Sequence, residues 1–379
     1  MKHLLSKFWL PPLMVIMVQM MTWPVSAGEP LADHREPLAD HREPSDEFDL
    51  AINNGRVVDP ANQRNGVASI GIRAGRIAAI SPEPIKAARV IDASGLIVAP
   101  GFIDLHSHAI SPRGQQFQLQ DGVTTALELE AGSYPVAALD KRFPDGAQIH
   151  FGASSSHIAV RQRILGNTFQ PHFTDRPTAM NGSASYNPMA GLTDPADKQQ
   201  IDAMMALHRQ ALSHGALGIG LPLDYMSKAV GDDELIALFS VAAEWKAPVF
   251  VHIRRGLPGD LSGLDTVINL AEITGAAVHL CHLQASAMTG TNEAMARISA
   301  AKERGVRVTT EAYPYNAGST TISAAVFRRN WRDIFSIDYS DVQWGATGER
   351  LTEQTFNTYQ KERPDGFVVH HYGRSADTD

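Results

Sequence analysis

Cysteine is almost absent from this chain of 379 residues, in which Cys281 is the sole example. A disulfide within the chain is therefore excluded, and stability has to come from the hydrophobic core or from a bound metal ion. An excess of basic residues is also missing, because the formal net charge at pH 7 is −8. This balance argues against a nucleic acid or an anionic membrane as partner. The hydrophobic fraction of 44% predicts a sizeable folded core.

Long apolar runs are confined to the N-terminal segment. Residues 1–27 combine a short basic start, an apolar stretch and the small residues "VSA" before Gly28. We interpret this segment as a secretory signal peptide and expect the mature protein to be periplasmic or secreted; the alternative is an uncleaved anchor. No later run approaches the roughly 20 apolar residues that a spanning helix requires, so we expect no membrane span after cleavage.

The next two segments, residues 28–47 and 48–98, differ in their sequence patterns. Residues 28–47 contain a seven-residue unit written twice, "EPLADHREPLADHREP", which predicts a disordered linker. Residues 48–98 consist of short alternating or apolar runs separated by Asn-Gly and Ala-Gly turns. That pattern is typical of a small β-sandwich module.

From residue 99 onward, short apolar runs alternate with helix-like segments, among them 196–213, 232–245 and 292–304. This alternation predicts an α/β fold with a parallel sheet and right-handed crossovers. Seven such runs favour a (β/α)8-type, TIM-like barrel over residues 99–324, with an open doubly wound sheet as the alternative.

Four histidines fall at the ends of these runs. His106 and His108 close the first run, in "PGFIDLHSH"; His252 closes the fifth and His282 the sixth. The carboxyl ends of barrel strands open onto one face, and residues two apart on a strand point the same way. Imidazole is the commonest neutral ligand of zinc. The pattern therefore predicts a metal site at this face of the barrel.

The second run adds carboxylates to the same face. "ALELEAG" places Glu128 and Glu130 two residues apart on a strand that otherwise looks buried. A buried carboxylate without a partner costs free energy, and a metal ion would be such a partner. Glu130 is nearer the strand end and is the predicted ligand. Glu128 is a supporting group or an alternative ligand, and ion pairing with arginine is the structural alternative for both.

These motifs resemble the amidohydrolase superfamily, on the strength of "PGFIDLHSH", the strand-end His252 and His282, and "EAYPYNAGST". Within it the chain is most similar to the D-aminoacylase branch, and "DGVTTALELEAG" is similar to the N-acyl-D-glutamate deacylase-like members. The resemblance covers residues 48–379 and implies a hydrolase that uses one or two zinc ions to remove the acyl group from N-acyl-D-amino acids.

The resemblance also implies roles for single residues. The pair on the first strand would hold the more weakly bound metal, and the histidines of strands five and six the tighter one. D-aminoacylases place a bridging cysteine at the end of strand two, where this chain has Ala131. Glu130 must then supply the bridge.

Substrate contacts follow from the chemistry of an N-acyl amino acid. Its carboxylate is held best by a planar guanidinium, and we predict Arg254, Arg255 and Arg161 as candidates, with structural pairing as the alternative. Tyr225 is predicted to line the pocket. Tyr315, in "YPYN", is predicted to donate to the carbonyl oxygen and to stabilise the oxyanion, with packing as the alternative.

One departure from the family concerns strand eight, whose terminal aspartate serves as proton carrier and metal contact. Residues 325–379 fit the insertion subdomain that precedes this strand, so we expect the chain to be C-terminally truncated. A non-catalytic metal-binding remnant is therefore one alternative. A cyclic-amide hydrolase of the hydantoinase or dihydroorotase type is another, but these usually carry a carboxylated lysine on a middle strand. Here Lys246 precedes its strand and Lys141 lies in a loop.

Overall fold

The structure is a computed structural model, and it describes residues 16–17, 47–182 and 185–372. The predicted signal peptide and linker otherwise lie outside the described residues, so both stay predictions, as does the cellular location. The chain divides into two compact units, one holding the β module and the other holding the barrel site and the insertion subdomain. Within the described residues, every helix is too short or too polar to cross a membrane.

The elements are numbered in chain order. The strands are β1 (Ile16–Met17), β2 (Phe48–Asp59), β3 (Arg64–Arg73), β4 (Arg76–Ser81), β5 (Ala87–Asp92), β6 (Ile97–Ala99), β7 (Phe102–Asp104), β8 (Val123–Ser133), β9 (His150–Ser156), β10 (Thr168–Phe169), β11 (Thr178–Ala179), β12 (Ile219–Pro222), β13 (Pro248–His252), β14 (Ala277–Leu280), β15 (Val308–Thr310), β16 (Ala317–Thr321), β17 (Val342–Trp344) and β18 (Phe367–His371). The helices are α1 (Pro112–Gln120), α2 (His157–Leu165), α3 (Ala190–Thr193), α4 (Lys198–Ser213), α5 (Asp232–Glu244), α6 (Ser262–Thr274), α7 (Leu283–Ala287), α8 (Thr291–Glu303), α9 (Trp331–Phe335) and α10 (Glu353–Glu362).

The N-terminal β module forms a single six-stranded sheet in the described residues, where the sequence predicted a sandwich. The long strand β2 has a register shift between Ile52 and Gly55, and it pairs with β5 before this point and with β6 after it. Gly55 is required there, because a Cβ would lie 2.5 Å from Cγ2 of Val98. The single strand β2 therefore pairs with β5 and with β6 on either side of the register shift, so both belong to one sheet.

The seven predicted barrel strands form one sheet in the order β7-β8-β9-β12-β13-β14-β15, and the paired registers from β9 to β15 are parallel. The helical segments predicted from the sequence are α4, α5 and α8. The sheet is curled, since His106 after β7 bonds Glu311 after β15, so the ends of the two edge strands meet. This curled half-barrel confirms the TIM-like fold over the open doubly wound alternative.

Helix α4 shows how the local sequence fixes these crossovers. Asp197 and Gln200 form a reciprocal capping box at its start. Its buried side chains, at helical spacing, are Met204, Met205, His208, Ala211 and Leu212. They form one buried stripe that packs on the barrel, in which His208 is polar and bonds Ser155 and His157.

The insertion subdomain is an antiparallel sheet in the order β16-β18-β17, with α9 and α10 packed around a separate core. Its first strand begins at Ala317, whereas the sequence placed the boundary at residue 325. The difference arises because β16 pairs along its whole length with β18, which is about 50 residues away in the chain.

Candidate metal centre

The first-strand histidines are fixed by backbone bonds to the neighbouring strand. Ser107 N donates to the carbonyl oxygen of Leu127 at 3.0 Å, and His106 bridges to Glu128 in β8. The rings of His106 and His108 lie with their centroids 5.0 Å apart. The two-residue spacing thus places both imidazoles at one face, as predicted.

Glu130 lies at the centre of the site. Its Oε1 is 2.8 Å from Nδ1 of His252 and 2.8 Å from Nε2 of His282. Its Oε2 is 3.4 Å from Nε2 of His106 and 3.3 Å from Nε2 of His108. One buried carboxylate therefore faces four imidazole nitrogens from three different strand ends, which is the convergence predicted from the sequence.

This donor set suits metal ions. Among the described residues, three groups bring ligand atoms within 4.8 Å of one another: His106, His108 and Glu130; Glu130, His252 and His282; His106, Cys281 and Glu311. The first two share Glu130, so this residue would be a ligand common to two neighbouring ions. Nitrogen from imidazole and oxygen from carboxylate are ordinary zinc ligands.

The charge states of Glu130 and His282 fit the same purpose, whereas for His108 the effect of burial is outweighed by the neighbouring carboxylates, which raise its pKa to about 9 and favour its protonated form when no metal is bound. Burial by itself raises the pKa of Glu130, but the facing histidines outweigh this and hold its pKa well below the ordinary value. Burial lowers the pKa of His282 to about 4, which leaves that ring neutral at pH 7. An ionised carboxylate and a neutral imidazole are the forms in which these side chains bind metals.

Glu128 has a different position from Glu130. It is fully buried, and its oxygens lie 2.9 and 3.0 Å from Nδ1 of His108. It also contacts Nε2 of His172 at 2.7 Å and accepts a bond from Ala131 N at 3.2 Å. Glu128 therefore faces the far side of His108 from Glu130. The ligand role of Glu130 and the supporting role of Glu128 stay predictions.

Two acidic residues of the site were missed from the sequence. Glu311 directly follows β15 and contacts His106 Nδ1, with its other oxygen 3.3 Å from Nε2 of His279. Asp224 lies two residues after β12, is 4% exposed, and has Oδ2 3.9 Å from Nε2 of His252. Both follow strand ends closely, so the rule that located the histidines, applied to carboxylates on strands four and seven, would have found them.

Arg161 is a correction to the predicted substrate contacts. It is fully buried, its Nε donates to the carbonyl oxygen of Gly191 at 2.7 Å, and Nη1 pairs with the Glu234 carboxylate. Nη2 donates to the carbonyl oxygen of Asp194. All three guanidinium nitrogens are thus bonded within the protein, and Arg161 has a structural role.

The other two predicted arginines are also engaged in protein contacts. Arg254 Nη2 donates to the carbonyl oxygen of Val230 at 2.7 Å. The guanidinium of Arg255 stacks over the ring of Phe335 at 5.1 Å. Their role in substrate binding stays a prediction.

The predicted tyrosines lie in contrasting places. Tyr225 lines the cavity described below, its ring centroid is 5.2 Å from that of His252, and burial raises its pKa to about 12. Tyr315 is 74% exposed. Tyr313, which lies 6.2 Å from Tyr315, is nearer the metal ligands, with its ring 6.3 Å from His282. The proposed oxyanion role therefore fits the position of Tyr225 better than that of Tyr315.

A cavity of about 840 Å³ opens beside these residues, with His108 and Glu130 in its wall. Asp224 also lines it. Its cationic residues are Lys228, Arg328 and Arg329. The donor groups are therefore accessible to a small molecule, and the cavity presents positive side chains to it.

Gly220 on β12 permits the close approach that holds Glu130 in place. A Cβ there would lie 2.5 Å from the carbonyl oxygen of Glu130 and 2.5 Å from Ser154 Oγ. We expect Gly220→Ala to destabilise the fold by about 1–3 kcal/mol through overpacking and to weaken metal binding. Thermal unfolding and zinc titration check this. Gly66→Ala is the control, since its Cβ would meet open space, and equal behaviour of the two variants would contradict the expectation.

Comparison with known sequences gives relatives of one broad kind. The sequence profile described as "Amidohydrolase family" matches residues 89–362. The chain is 29% identical over 334 residues to N-acyl-D-glutamate deacylase of Alcaligenes xylosoxydans xylosoxydans, a match that covers 81% of this chain and 65% of the relative. It is 26% identical over 310 residues to dihydroorotase of Solibacter usitatus, covering 75% and 64%. The chain thus spans just under two thirds of these relatives' length.

Solved structures share the fold. N-acyl-D-glutamate deacylase from Bordetella bronchiseptica, complexed with zinc and a phosphonate inhibitor, has a TM-score of 0.66 at 23% identity, covering 86% of this chain and 72% of that one. A D-aminoacylase has a TM-score of 0.63 at 20% identity, covering 87% and 73%. The architecture seen here is therefore similar to that of known deacylases.

Proposed function

Since this chain belongs to the amidohydrolase family, we propose that it is a zinc-dependent hydrolase of linear amides. The proposed reaction removes the acyl group from an N-acyl-D-amino acid, with N-acyl-D-glutamate as the favoured class. The N-acyl-D-glutamate deacylase and D-aminoacylase relatives, at 29% and 27% identity, support this choice.

The observation that carries the proposal is Glu130 facing four imidazoles at the carboxyl ends of the barrel strands. His106, His108 and Glu130 would hold one ion, and Glu130, His252 and His282 the other. Zinc at such a site lowers the pKa of a bound water and polarises a carbonyl group.

The chain's own residues would orient the substrate. Tyr225 is protonated at pH 7, as an ordinary tyrosine is, and it lines the cavity, so its hydroxyl would donate a hydrogen bond to the amide oxygen. Lys228 and Arg328 are cationic residues of the same cavity and would attract a carboxylate. The cavity volume of about 840 Å³ is in the range of small-molecule sites.

A cyclic-amide hydrolase is the second candidate, because dihydroorotases at 26–28% identity are also among the relatives. Against it, Glu130 is the residue that the two donor groups share. Lys141 lies in a helical turn between β8 and β9, and Lys246 precedes β13, so neither stands at the carboxyl end of a barrel strand. We therefore favour the linear amide.

The test is a substrate panel with the purified full chain, with and without a chelator. We expect release of D-glutamate from N-acetyl-D-glutamate, slower release from a neutral N-acetyl-D-amino acid, and none from the L-enantiomer. Chelation should abolish turnover, and zinc should restore it.

Three outcomes of this panel would contradict the proposal. Hydrolysis of dihydroorotate or a hydantoin alone would favour the cyclic-amide candidate. Zinc binding without any turnover would favour the non-catalytic remnant. Turnover that survives complete removal of metal would exclude a metal-dependent reaction.

A further inference from the structure

The two ring nitrogens of each site histidine face different partners. The nitrogen facing Glu130 is here called the inner nitrogen, and the opposite one the outer nitrogen. The outer Nδ1 of His108 lies 2.9 Å from the carboxylate of Glu128. The outer Nδ1 of His106 contacts the carboxylate of Glu311. Both histidines of the first group are therefore backed by a carboxylate.

The second group is backed less completely. The outer Nε2 of His252 is buried and has no hydrogen-bond partner among the described residues. Oδ2 of Asp224 lies 3.9 Å from it, which is within ion-pair range but beyond hydrogen-bond distance. The outer Nδ1 of His282 faces the hydroxyl of Ser286 at 3.4 Å. Asp224 is thus the carboxylate that faces the outer nitrogen of His252.

Two of these carboxylates are themselves held in place. Glu128 contacts His172 at 2.7 Å and accepts from Ala131 N at 3.2 Å. Asp224 accepts from Arg329 Nη2 at 2.7 Å and from Arg255 N at 3.0 Å. A carboxylate with fixed neighbours can fix an imidazole in turn.

We propose that the two ion positions are supported separately by these outer carboxylates. Glu128 and Glu311 position His108 and His106 for the first ion, and Asp224 positions His252 for the second. A carboxylate on the outer nitrogen keeps the proton there and leaves the inner lone pair free for metal. The inference rests on the metal part of the proposed function and is independent of its substrate.

Arg329 extends this support to the insertion subdomain. It lies in the segment that follows β16, and its guanidinium reaches Asp224 from there. The subdomain therefore contributes to the second ion position through Asp224. We expect Arg329→Met to weaken the same ion as Asp224→Asn.

The test measures metal binding to the full chain after removal of metal with a chelator. Zinc is titrated by calorimetry, and Co²⁺ by its visible absorption, which reports the ligand geometry. We expect Glu128→Gln to weaken one ion by about 10–100-fold and to leave the other unchanged. Asp224→Asn should weaken the other ion alone. Glu244→Gln is the matched control, because this exposed residue of α5 pairs with Arg209 of α4.

Double variants decide whether the support is divided as proposed. Glu128→Gln with Glu311→Gln should affect a single ion, whereas Glu128→Gln with Asp224→Asn should weaken both. Equal weakening of both ions by each single variant, or no effect from any of them, would overturn the proposal. If Glu128→Gln does not fold, Glu311→Gln decides for the first ion, since its side chain is 17% exposed.

Failure of this inference is distinguishable from failure of the proposed function. The titrations use zinc and cobalt alone and no substrate. They therefore measure the affinity for each ion even if the chain hydrolyses nothing. Conversely, a deacylase whose two ions respond together to every variant would keep the proposed function and lose the divided support.

Discussion

Replacing Glu130 with glutamine is expected to reduce kcat/KM by more than about 100-fold, beyond the effect of changing a residue behind a metal ligand. Both donor groups share this carboxylate, and four imidazole nitrogens lie within 3.4 Å of its oxygens. The glutamine side chain has no negative charge. Its NH₂ group would replace a carboxylate oxygen that faces two imidazole nitrogens. The zinc content and the steady-state kinetics of the variant check this expectation.

The control for this prediction is Glu244→Gln, which removes a carboxylate whose side chain is 51% exposed. It should leave zinc content and kinetics unchanged. A Glu130→Gln protein that keeps two zinc ions and activity within about 10-fold of the parent would contradict the bridging role. Glu130→Asp keeps the negative charge but shortens the side chain by one methylene. It therefore distinguishes a loss caused by the missing charge from a loss caused by a displaced carboxylate.

Replacing Arg161 with methionine is expected to destabilise the fold by about 3–5 kcal/mol, since it leaves a buried carboxylate without its cation. Arg161 is fully buried and Glu234 is 2% exposed. Two carbonyl oxygens, of Gly191 and Asp194, would lose their donors as well. Denaturant unfolding monitored by circular dichroism measures the loss.

The matched control is Arg209→Met, which breaks an exposed pair with Glu244 and should cost about 0–1 kcal/mol. Adding Glu234→Gln to Arg161→Met should recover part of the lost stability, because the unpaired charge is then removed. If Arg161 binds substrate, as the sequence predicted, Arg161→Met should instead raise KM and leave the stability unchanged. That result would restore the earlier assignment.

The fold was largely predictable because its signals are local. The strand and helix alternation after residue 99 follows from spacing within single segments, as do the strand-end positions of His106, His252 and His282. Such spacing carries real information, since side chains alternate along a strand and barrel strands end at one face.

The roles of the arginines and tyrosines were less predictable. Arg161 lies on α2, which directly follows the barrel strand β9. The local sequence there does not distinguish a side chain that faces substrate from one that is buried against Glu234 of α5. Tyr313 and Tyr315 occupy one short motif, and only the path of the chain after β15 decides which of them approaches His282.

The sequence by itself determined that four histidines and Glu130 lie at strand ends, where they could bind metal. The tertiary structure alone decided which carboxylate stands behind which imidazole. His106 and Glu311 are 205 residues apart in the chain, and Asp224 and Arg329 are 105 apart. No local pattern encodes such pairs, because they come together only when the sheet curls and the subdomain packs beside its carboxyl ends.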